Sequence, residues 1–465
     1  MNFEALLSGL GSRRIRTAVT GAKGDFGRSL LVQCRAIPAI DLVALCDLDI
    51  DGLRATLTSL GHAPASITVC ETADEAQAAQ AAGRIALVRD YTLLTAFGLD
   101  IVVEATGRPE VSVAIARQAI ESGVHVAMAT KETESFAGPY LNRLARERGL
   151  VYTTPDGDQP SNLIGLVTWA RCLGFEIVAA GKSSEYDYVF DAASGNLTYT
   201  DRVVPAPSMA DLWALGDDVP ARIRQRSEAL SALPQSATPD YCEMNVVANA
   251  TGFVPSCDSL SYPICRISEL ADIFIPREDG GILDRTGVVD VFNCLRREDE
   301  ASFGGGVFVV VRCTDAHIWE VLRGKGHVVS RNGRYACIYL PYHLMGIETP
   351  MSLFSAVLLG IPTGSPDQAA HAIMVARAER DFRAGEVLSM GGHPHVIEGT
   401  SARLLPMDAA ARAYAPFYLA ADRRLTADVP KGSIIRLDAL DLAGSPLAEV
   451  WAQSLAVDGT AAQQA

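Results

Sequence analysis

The sequence GAKGDFG at residues 21–27 decides the fold. It follows a short apolar run at residues 16–20 and precedes a helical pattern at residues 28–36. This order predicts a strand, a tight loop and a helix, and the helix N-terminus is a natural binding site for a pyrophosphate. The spacing G-x-x-G-x-x-G therefore predicts a dinucleotide loop, and an ordinary turn between strand and helix is the alternative.

Each glycine of the loop has a physical task in this interpretation. Gly21 permits the sharp exit from the strand, Gly24 lets a phosphate approach the backbone, and Gly27 lets the helix pack on the strand. The residues expected to bind the dinucleotide at this loop are Gly21, Ala22, Gly24, Asp25, Phe26 and Gly27.

Outward from this loop, short apolar runs alternate with helical patterns. Continuous apolar strands separated by helices are typical of a parallel sheet that is covered on both faces. We therefore expect an α/β, doubly wound Rossmann domain. The strands are predicted at residues 16–20, 42–46, 85–88, 100–105, 124–129, 150–153 and 175–180.

Two further positions support a dinucleotide site. Asp47 closes the second predicted strand, 20 residues after Gly27, where a carboxylate accepts hydrogen bonds from ribose hydroxyls. It repels a 2′-phosphate, so NAD is favoured over NADP; the alternative is that Asp47 only caps the next helix. The strand at residues 100–105 ends in small residues that can lie beside a nicotinamide ribose, namely Ala105, Thr106 and Gly107.

Three later strand ends offer charged side chains. Lys131 follows the fifth strand, Asp158 follows the sixth and Lys182 follows the seventh. Because ligands bind at the carboxyl edge of such sheets, we expect the three to share one crevice. Lys182 and Asp158 are the predicted acid/base pair, and Lys131 is expected to hold a substrate oxygen. A solvated lysine is the alternative for Lys131.

Glu243 and His343 are lesser catalytic candidates, since a polar residue on a helix or a single histidine is often structural. No metal site is predicted. A divalent metal would have only Asp158, Glu132 and Glu243 as a plausible cluster, and the pair at residues 393 and 395 has no third ligand nearby.

Composition excludes several classes of protein. Of the 465 residues, 40 are Lys or Arg and 55 are Asp or Glu, which leaves a net charge of −15. Such a surface repels nucleic acid and anionic lipid. The ten cysteines form no C-x-x-C pair, and no apolar run approaches about 20 residues, so we expect a cytoplasmic protein with reduced thiols and neither a membrane nor a nucleic-acid partner.

Changes in sequence texture predict the domain organisation. The expected partition is a Rossmann domain (1–182), an inserted α+β substrate and oligomerisation domain (183–335), a return segment (336–365), a small β-rich domain (370–440) and a disordered tail (453–465).

The set of motifs resembles the homoserine-dehydrogenase-like oxidoreductases that carry a C-terminal SAF domain. The matching segments are EATG (104–107), GDQP (157–160), AAGK (179–182), EM with VANATG (243–252), GRYA (333–336) and PYHL (341–344). The resemblance implies an NAD(P)-dependent enzyme that acts on a CH–OH group, a SAF-like domain at 370–440 and a homo-oligomer. It also implies a relationship to 1-deoxy-D-xylulose 5-phosphate reductoisomerase-like enzymes, and it places Lys131 near substrate and nicotinamide.

The chain departs from this family in three ways. Its glycine loop is one residue longer, and Pro239 stands where relatives have a lysine. The stretch at residues 183–187 is acidic where relatives are neutral or basic. The last two departures disfavour a phosphorylated substrate.

The leading functional hypothesis is hydride transfer between nicotinamide and a hydroxyl or carbonyl carbon of a small polar substrate. A reductoisomerase is the enzymatic alternative. A non-catalytic dinucleotide-binding sensor or assembly protein is the alternative from another class.

Overall fold

The computed structural model describes residues 2–391 and 395–461. The chain divides into two compact units. Unit 1 contains Met1–Ser161, Leu344–Ala370 and Leu442–Ala465, and unit 2 contains Asn162–His343 and His371–Asp441. Residue 393 of the histidine pair and the final residues 462–465 lie outside the described residues.

Fifteen helices occur in the described part of the chain. They are α1 (Phe3–Ser8), α2 (Asp25–Ala36), α3 (Ile50–Ser59), α4 (Ala73–Ala81), α5 (Pro109–Glu121), α6 (Lys131–Arg146), α7 (Gln159–Cys172), α8 (Met209–Leu212), α9 (Val219–Ala229), α10 (Thr238–Thr251), α11 (Leu270–Ile273), α12 (Ala316–Gly324), α13 (Thr349–Phe354), α14 (Phe417–Ala420) and α15 (Pro446–Ala461). None of these described helices is both long enough and apolar enough to cross a membrane.

Unit 1 contains a seven-stranded sheet in the order β3-β4-β2-β1-β5-β6-β7. Every pair of neighbours is parallel. Its strands are β1 (Ile15–Thr20), β2 (Ile40–Cys46), β3 (Ile67–Val69), β4 (Ile85–Val88), β5 (Ile101–Glu104), β6 (His125–Met128) and β7 (Tyr152–Thr153).

The predicted α/β, doubly wound class is confirmed. Strands such as β4 and β5 are buried along their whole length because helices cover both faces of the sheet. Leu30 of α2, Leu53 of α3 and Leu353 of α13 belong to one apolar core with the strands. The prediction missed β3, whose three residues are too short to show a periodic pattern.

Unit 2 contains a mixed sheet in the order β11-β10-β9-β14-β8-β15-β17-β16, with β12 and β13 paired to β14. Two further pairs, β18 with β21 and β19 with β20, are antiparallel. The strands are β8 (Ile177–Ser183), β9 (Tyr188–Asp191), β10 (Asn196–Tyr199), β11 (Arg202–Pro205), β12 (Val254–Pro255), β13 (Ile264–Cys265), β14 (Val288–Arg296), β15 (Val307–Arg312), β16 (Val328–Val329), β17 (Tyr335–Leu340), β18 (Ala372–Ala378), β19 (Met390–Gly391), β20 (Val396–Ile397) and β21 (Thr400–Pro406).

Strand β8 is predicted to be the seventh strand of the first sheet, and this prediction is wrong. It lies at the centre of the second sheet, where Lys182 is paired with Val291 of β14 and with Val307 of β15. All seven of its residues are buried. A fully buried strand is apolar in either sheet, so its own sequence does not indicate which sheet it joins.

The segments near the C-terminus also differ from the predicted partition. Strand β17 pairs with β15 in unit 2, so the return to unit 1 begins at Leu344 rather than at residue 336. The tail that is expected to be disordered from residue 453 is helical through Ala461 in α15. This helix packs on α6 and buries Leu447, Val450 and Trp451.

Candidate functional site

The glycine loop of unit 1 connects β1 to α2, as predicted. Gly21 has a φ of +62°, and a Cβ there would lie 2.2 Å from the carbonyl oxygen of Ala105. A Cβ on Gly27 would lie 2.6 Å from the carbonyl oxygen of Ala22. These two glycines are thus required by the packing of the loop itself.

Gly24 is different, because a Cβ there would meet only the Gly21 carbonyl oxygen, at 3.5 Å. Gly24 is the N-cap of α2 and makes no side-chain cap, so the first N–H groups of the helix remain for another acceptor. Asp25 is exposed in the first turn, and Phe26 is half-buried. The exposed carboxylate of Asp25 opposes an anion at this position.

The carboxylate of Asp47 is held in place at the end of β2. Its Oδ2 accepts the backbone N–H of Lys23 at 3.0 Å, and its Oδ1 accepts the backbone N–H of Asp49 at 3.1 Å. Two backbone donors orient the carboxylate and leave lone pairs on both oxygens for ribose hydroxyls.

A cavity of about 550 Å³ opens beside Gly21, Asp47 and Thr106. Two of its lining residues, Leu48 and Val111, are apolar and yet 79% and 40% exposed. Exposed apolar side chains in a cavity are suited to a planar base. The cavity also contains Arg89 and Arg108, which supply positive charge for phosphates.

A buried glutamate organises the end of β5. Glu104 accepts hydrogen bonds from Ser112 Oγ at 2.6 Å and from the backbone N–H of Thr106 at 2.9 Å. Burial raises the pKa of Glu104 above its ordinary value, although these hydrogen bonds oppose the rise. Gly107 donates its N–H to Thr130 Oγ1 at 3.0 Å, which connects the ends of β5 and β6.

Lys131 and Asp158 lie together at the carboxyl edge of the same sheet. Lys131 is the first residue of α6, three residues after the end of β6 at Met128. Its Nζ lies 3.1 Å from Asp158 Oδ1, which also accepts the backbone N–H of Gln159. The lysine side chain is 29% exposed and that of the aspartate 10%.

Asp156, two residues before Asp158, has other partners. Its carboxylate accepts the hydroxyl of Ser161 at 3.0 Å, and its backbone N–H donates to Ser352 Oγ. Burial raises the pKa of Asp156 to about 6, and the negative charge of Glu348 contributes to the rise.

Lys182 has a separate environment in unit 2. Its Nζ lies 2.7 Å from Asp240 Oδ1 and also contacts the carboxylate of Glu243, and all three side chains are buried. Asp240 further accepts the hydroxyls of Ser184 and Tyr262. The structure therefore brings Lys182 and Glu243 together, with Asp240 as the second acid.

The pKa values of Lys182 and Asp240 depend on each other and on Glu243, because one ammonium lies between two carboxylates. Burial by itself would lower the pKa of the Lys182 ammonium, but the negative charges of Asp240 and Glu243 outweigh it and raise that pKa. Burial raises the pKa of Asp240, and the negative charge of Glu243 adds to the rise, whereas the Lys182 ammonium opposes it.

His343 lies in unit 2 just after β17 and is half-buried, and its Nδ1 is buried without a hydrogen-bond partner in the described structure. No group of three or more possible metal ligands occurs among the described residues.

Sequence reasoning missed two buried acids. Asp240 stands three residues before Glu243, a helical spacing that places both on one face of α10 and could have indicated it. Glu134 accepts the hydroxyl of Tyr152 and the Nε2 of Gln368, and burial raises its pKa to about 7. No sequence signal indicates this second group, since Gln368 is 234 residues away.

Comparison with known proteins gives a family match over part of the chain. Residues 157–349 match the family described as oxidoreductase DRL, catalytic domain. This range includes Asp158, Lys182, Glu243 and His343. No curated protein matches the sequence. The match covers less than half of the chain and shows a similarity to this oxidoreductase family. The homoserine-dehydrogenase-like activity and the SAF domain stay predictions.

Several solved structures are similar to parts of this chain at low identity. A dehydrogenase from Chromobacterium violaceum is 16% identical over 38% of this chain and 47% of its own, with a TM-score of 0.26. An oxidoreductase domain protein from Kribbella flavida is 17% identical over 37% and 44%, with a TM-score of 0.28. A probable dehydrogenase from Thermotoga maritima is 12% identical over 75% and 90%, with a TM-score of 0.36. The chain thus covers about half the length of the first two.

Proposed function

We propose that this chain is an NAD-dependent dehydrogenase that acts on a hydroxyl or carbonyl carbon of a small polar substrate. The observation that carries the proposal is the cavity beside Gly21, Asp47 and Thr106, which continues from a glycine loop with an open position at Gly24. The family match supports the class of reaction, and the cavity supports the cofactor.

The residues of unit 1 fit a dinucleotide in three ways. The N-terminus of α2 would take the pyrophosphate, Asp47 the adenosine ribose, and Leu48 with Val111 the adenine. Bound NAD would supply the hydride acceptor.

We assign proton transfer to Lys131. As hydride leaves a carbinol carbon, the neutral amine of Lys131 would accept the hydroxyl proton and become an ammonium, and in the reverse direction that ammonium would donate the proton to the carbonyl oxygen. The contact with Asp158 keeps the charge of Lys131 compensated during the transfer. Lys182 is the other candidate, but it is 1% exposed and held by two carboxylates, so we place it second.

Gly24→Ala tests the cofactor site. The new methyl group would meet only one atom at ordinary contact distance, and the backbone (φ −61°, ψ 166°) suits alanine, so the free energy of unfolding should change by less than about 0.5 kcal/mol. The methyl group would occupy the approach of the pyrophosphate. We therefore expect NAD affinity, measured by calorimetry on the full chain, to fall at least about tenfold.

Gly324→Ala is the matched control, because it also adds a methyl group to open space, on α12 of unit 2. It should leave both stability and NAD affinity unchanged. Unaltered NAD binding by a folded Gly24→Ala protein would contradict the proposed site. An absorbance screen of hydroxy acids including homoserine, polyols and sugar phosphates would then identify the substrate.

A further inference from the structure

Lys23 of the glycine loop forms an ion pair with Asp49, which precedes α3, and we call this pair the clamp. The ion pair joins Lys23 Nζ to Asp49 Oδ2. Asp49 Oδ1 accepts the backbone N–H of Gly52 at 2.9 Å and so caps α3. The two carboxylate oxygens thus have separate partners, one in the glycine loop and one in the helix.

The clamp depends on a glycine beneath it. A Cβ on Gly52 would lie 2.4 Å from Asp49 Oδ2 and 2.7 Å from Lys23 Cε. Both distances are far below van der Waals contact, so a side chain at residue 52 would displace the ion pair. The lysine stem therefore lies directly over the start of α3.

The clamp adjoins the carboxylate that is expected to bind ribose. The backbone N–H groups of Lys23 and Asp49 are the two donors that orient Asp47. The hydrogen bond to Asp49 raises the pKa of the Lys23 ammonium, which is also near the negative charge of Asp47. Lys23, the cation of the glycine loop, is thus already paired with Asp49 and does not face the Asp47 carboxylate alone.

We propose that Asp49 is a specificity-determining residue that excludes NADP. It holds the ammonium of Lys23 over α3, where it is engaged, and it places a second negative charge next to Asp47. A ribose 2′-phosphate would then meet two carboxylates with the ammonium of Lys23 already engaged, and Arg89, which donates to the Leu48 carbonyl, would be the nearby cation left to offset them. A 2′-hydroxyl would only donate to Asp47. The inference rests on the proposed function, since it requires a dinucleotide in this cavity.

The test compares NAD and NADP affinities, measured by calorimetry on the full chain. Asp49→Asn keeps a good N-cap for α3 but weakens its hold on Lys23. We expect the ratio of the NADP to the NAD dissociation constant to fall about tenfold in this variant. Adding Lys23→Met to Asp49→Asn should cancel most of that gain.

Asp51→Asn is the matched control. It removes the same charge from an exposed residue in the first turn of α3 that forms no ion pair in the described structure. Its ratio should change less than about threefold. If the wild type binds NAD but Asp49→Asn leaves the ratio unchanged, or if Asp51→Asn shifts it equally, the specificity role is wrong. A wild-type chain that binds neither nucleotide overturns the proposed function, and this inference with it.

Discussion

Glu134 should lower the free energy of unfolding of the chain as the pH rises. A carboxylate in an ion pair has the opposite effect, because its pKa is lowered rather than raised. The side chain is buried in α6, where Oε1 accepts Gln368 Nε2 at 2.8 Å and Oε2 accepts the hydroxyl of Tyr152. Gly138 makes room for the pair, since a Cβ there would lie 2.8 Å from Glu134 Oε1. Among the interactions that determine its pKa, no cation compensates the charge.

The magnitude follows from the pKa of Glu134, which burial raises from 4.5 to about 7. Between these values the folded chain keeps a proton that the unfolded chain has released. The stabilisation is therefore complete below pH 4.5 and is lost as the pH rises through 7. Linkage gives a loss of about 2.5 kcal/mol in the free energy of unfolding between pH 5 and pH 8.

Glu134→Gln imitates the protonated carboxyl and should remove this loss. The amide can accept from Gln368 and donate to the Tyr152 oxygen, so the packing is kept. Urea unfolding of the nucleotide-free chain at pH 5, 6, 7 and 8 measures the effect. Relative to wild type, the variant should gain about 2.5 kcal/mol between pH 5 and pH 8.

Glu147→Gln is the control, because its side chain is 61% exposed at the end of the same helix. Its difference from wild type should be the same at every pH. If the wild type and Glu134→Gln show parallel pH dependence, the glutamate is ionised in the folded chain and the reasoning is refuted.

Two further predictions concern the lysines. Lys182→Met leaves Asp240 and Glu243 buried without a cation and should lower the free energy of unfolding by about 3–5 kcal/mol in urea titrations, and adding Glu243→Gln should recover part of it. If Lys182→Met has the same free energy of unfolding as the wild type, Lys182 does not compensate the charges of Asp240 and Glu243. Lys131→Arg keeps the ion pair with Asp158 but binds its proton too tightly to release it. On a substrate found by the screen, kcat should fall about 100-fold while NAD affinity stays unchanged, and an unchanged kcat would remove Lys131 from the reaction.

The sequence by itself determined the parallel sheet, the glycine loop and the acid after β2. Each depends on neighbouring residues: apolar runs bounded by helical patterns, glycines at fixed spacing, and Asp47 at a strand end. The contact of Lys131 with Asp158 was also within reach, because carboxyl ends of adjacent parallel strands meet at one edge.

Only the tertiary structure decided which sheet β8 joins and which acids surround Lys182. Asp240 is 58 residues from Lys182, and its contact depends on how α10 packs on the second sheet. The clamp between Lys23 and Asp49 and the pair of Glu134 with Gln368 likewise join segments that are separate in the chain. Local periodicity indicates which side of a helix or strand is buried, but not which other element covers that side. The partners of a buried charge depend on the covering element, so only the tertiary structure identifies them.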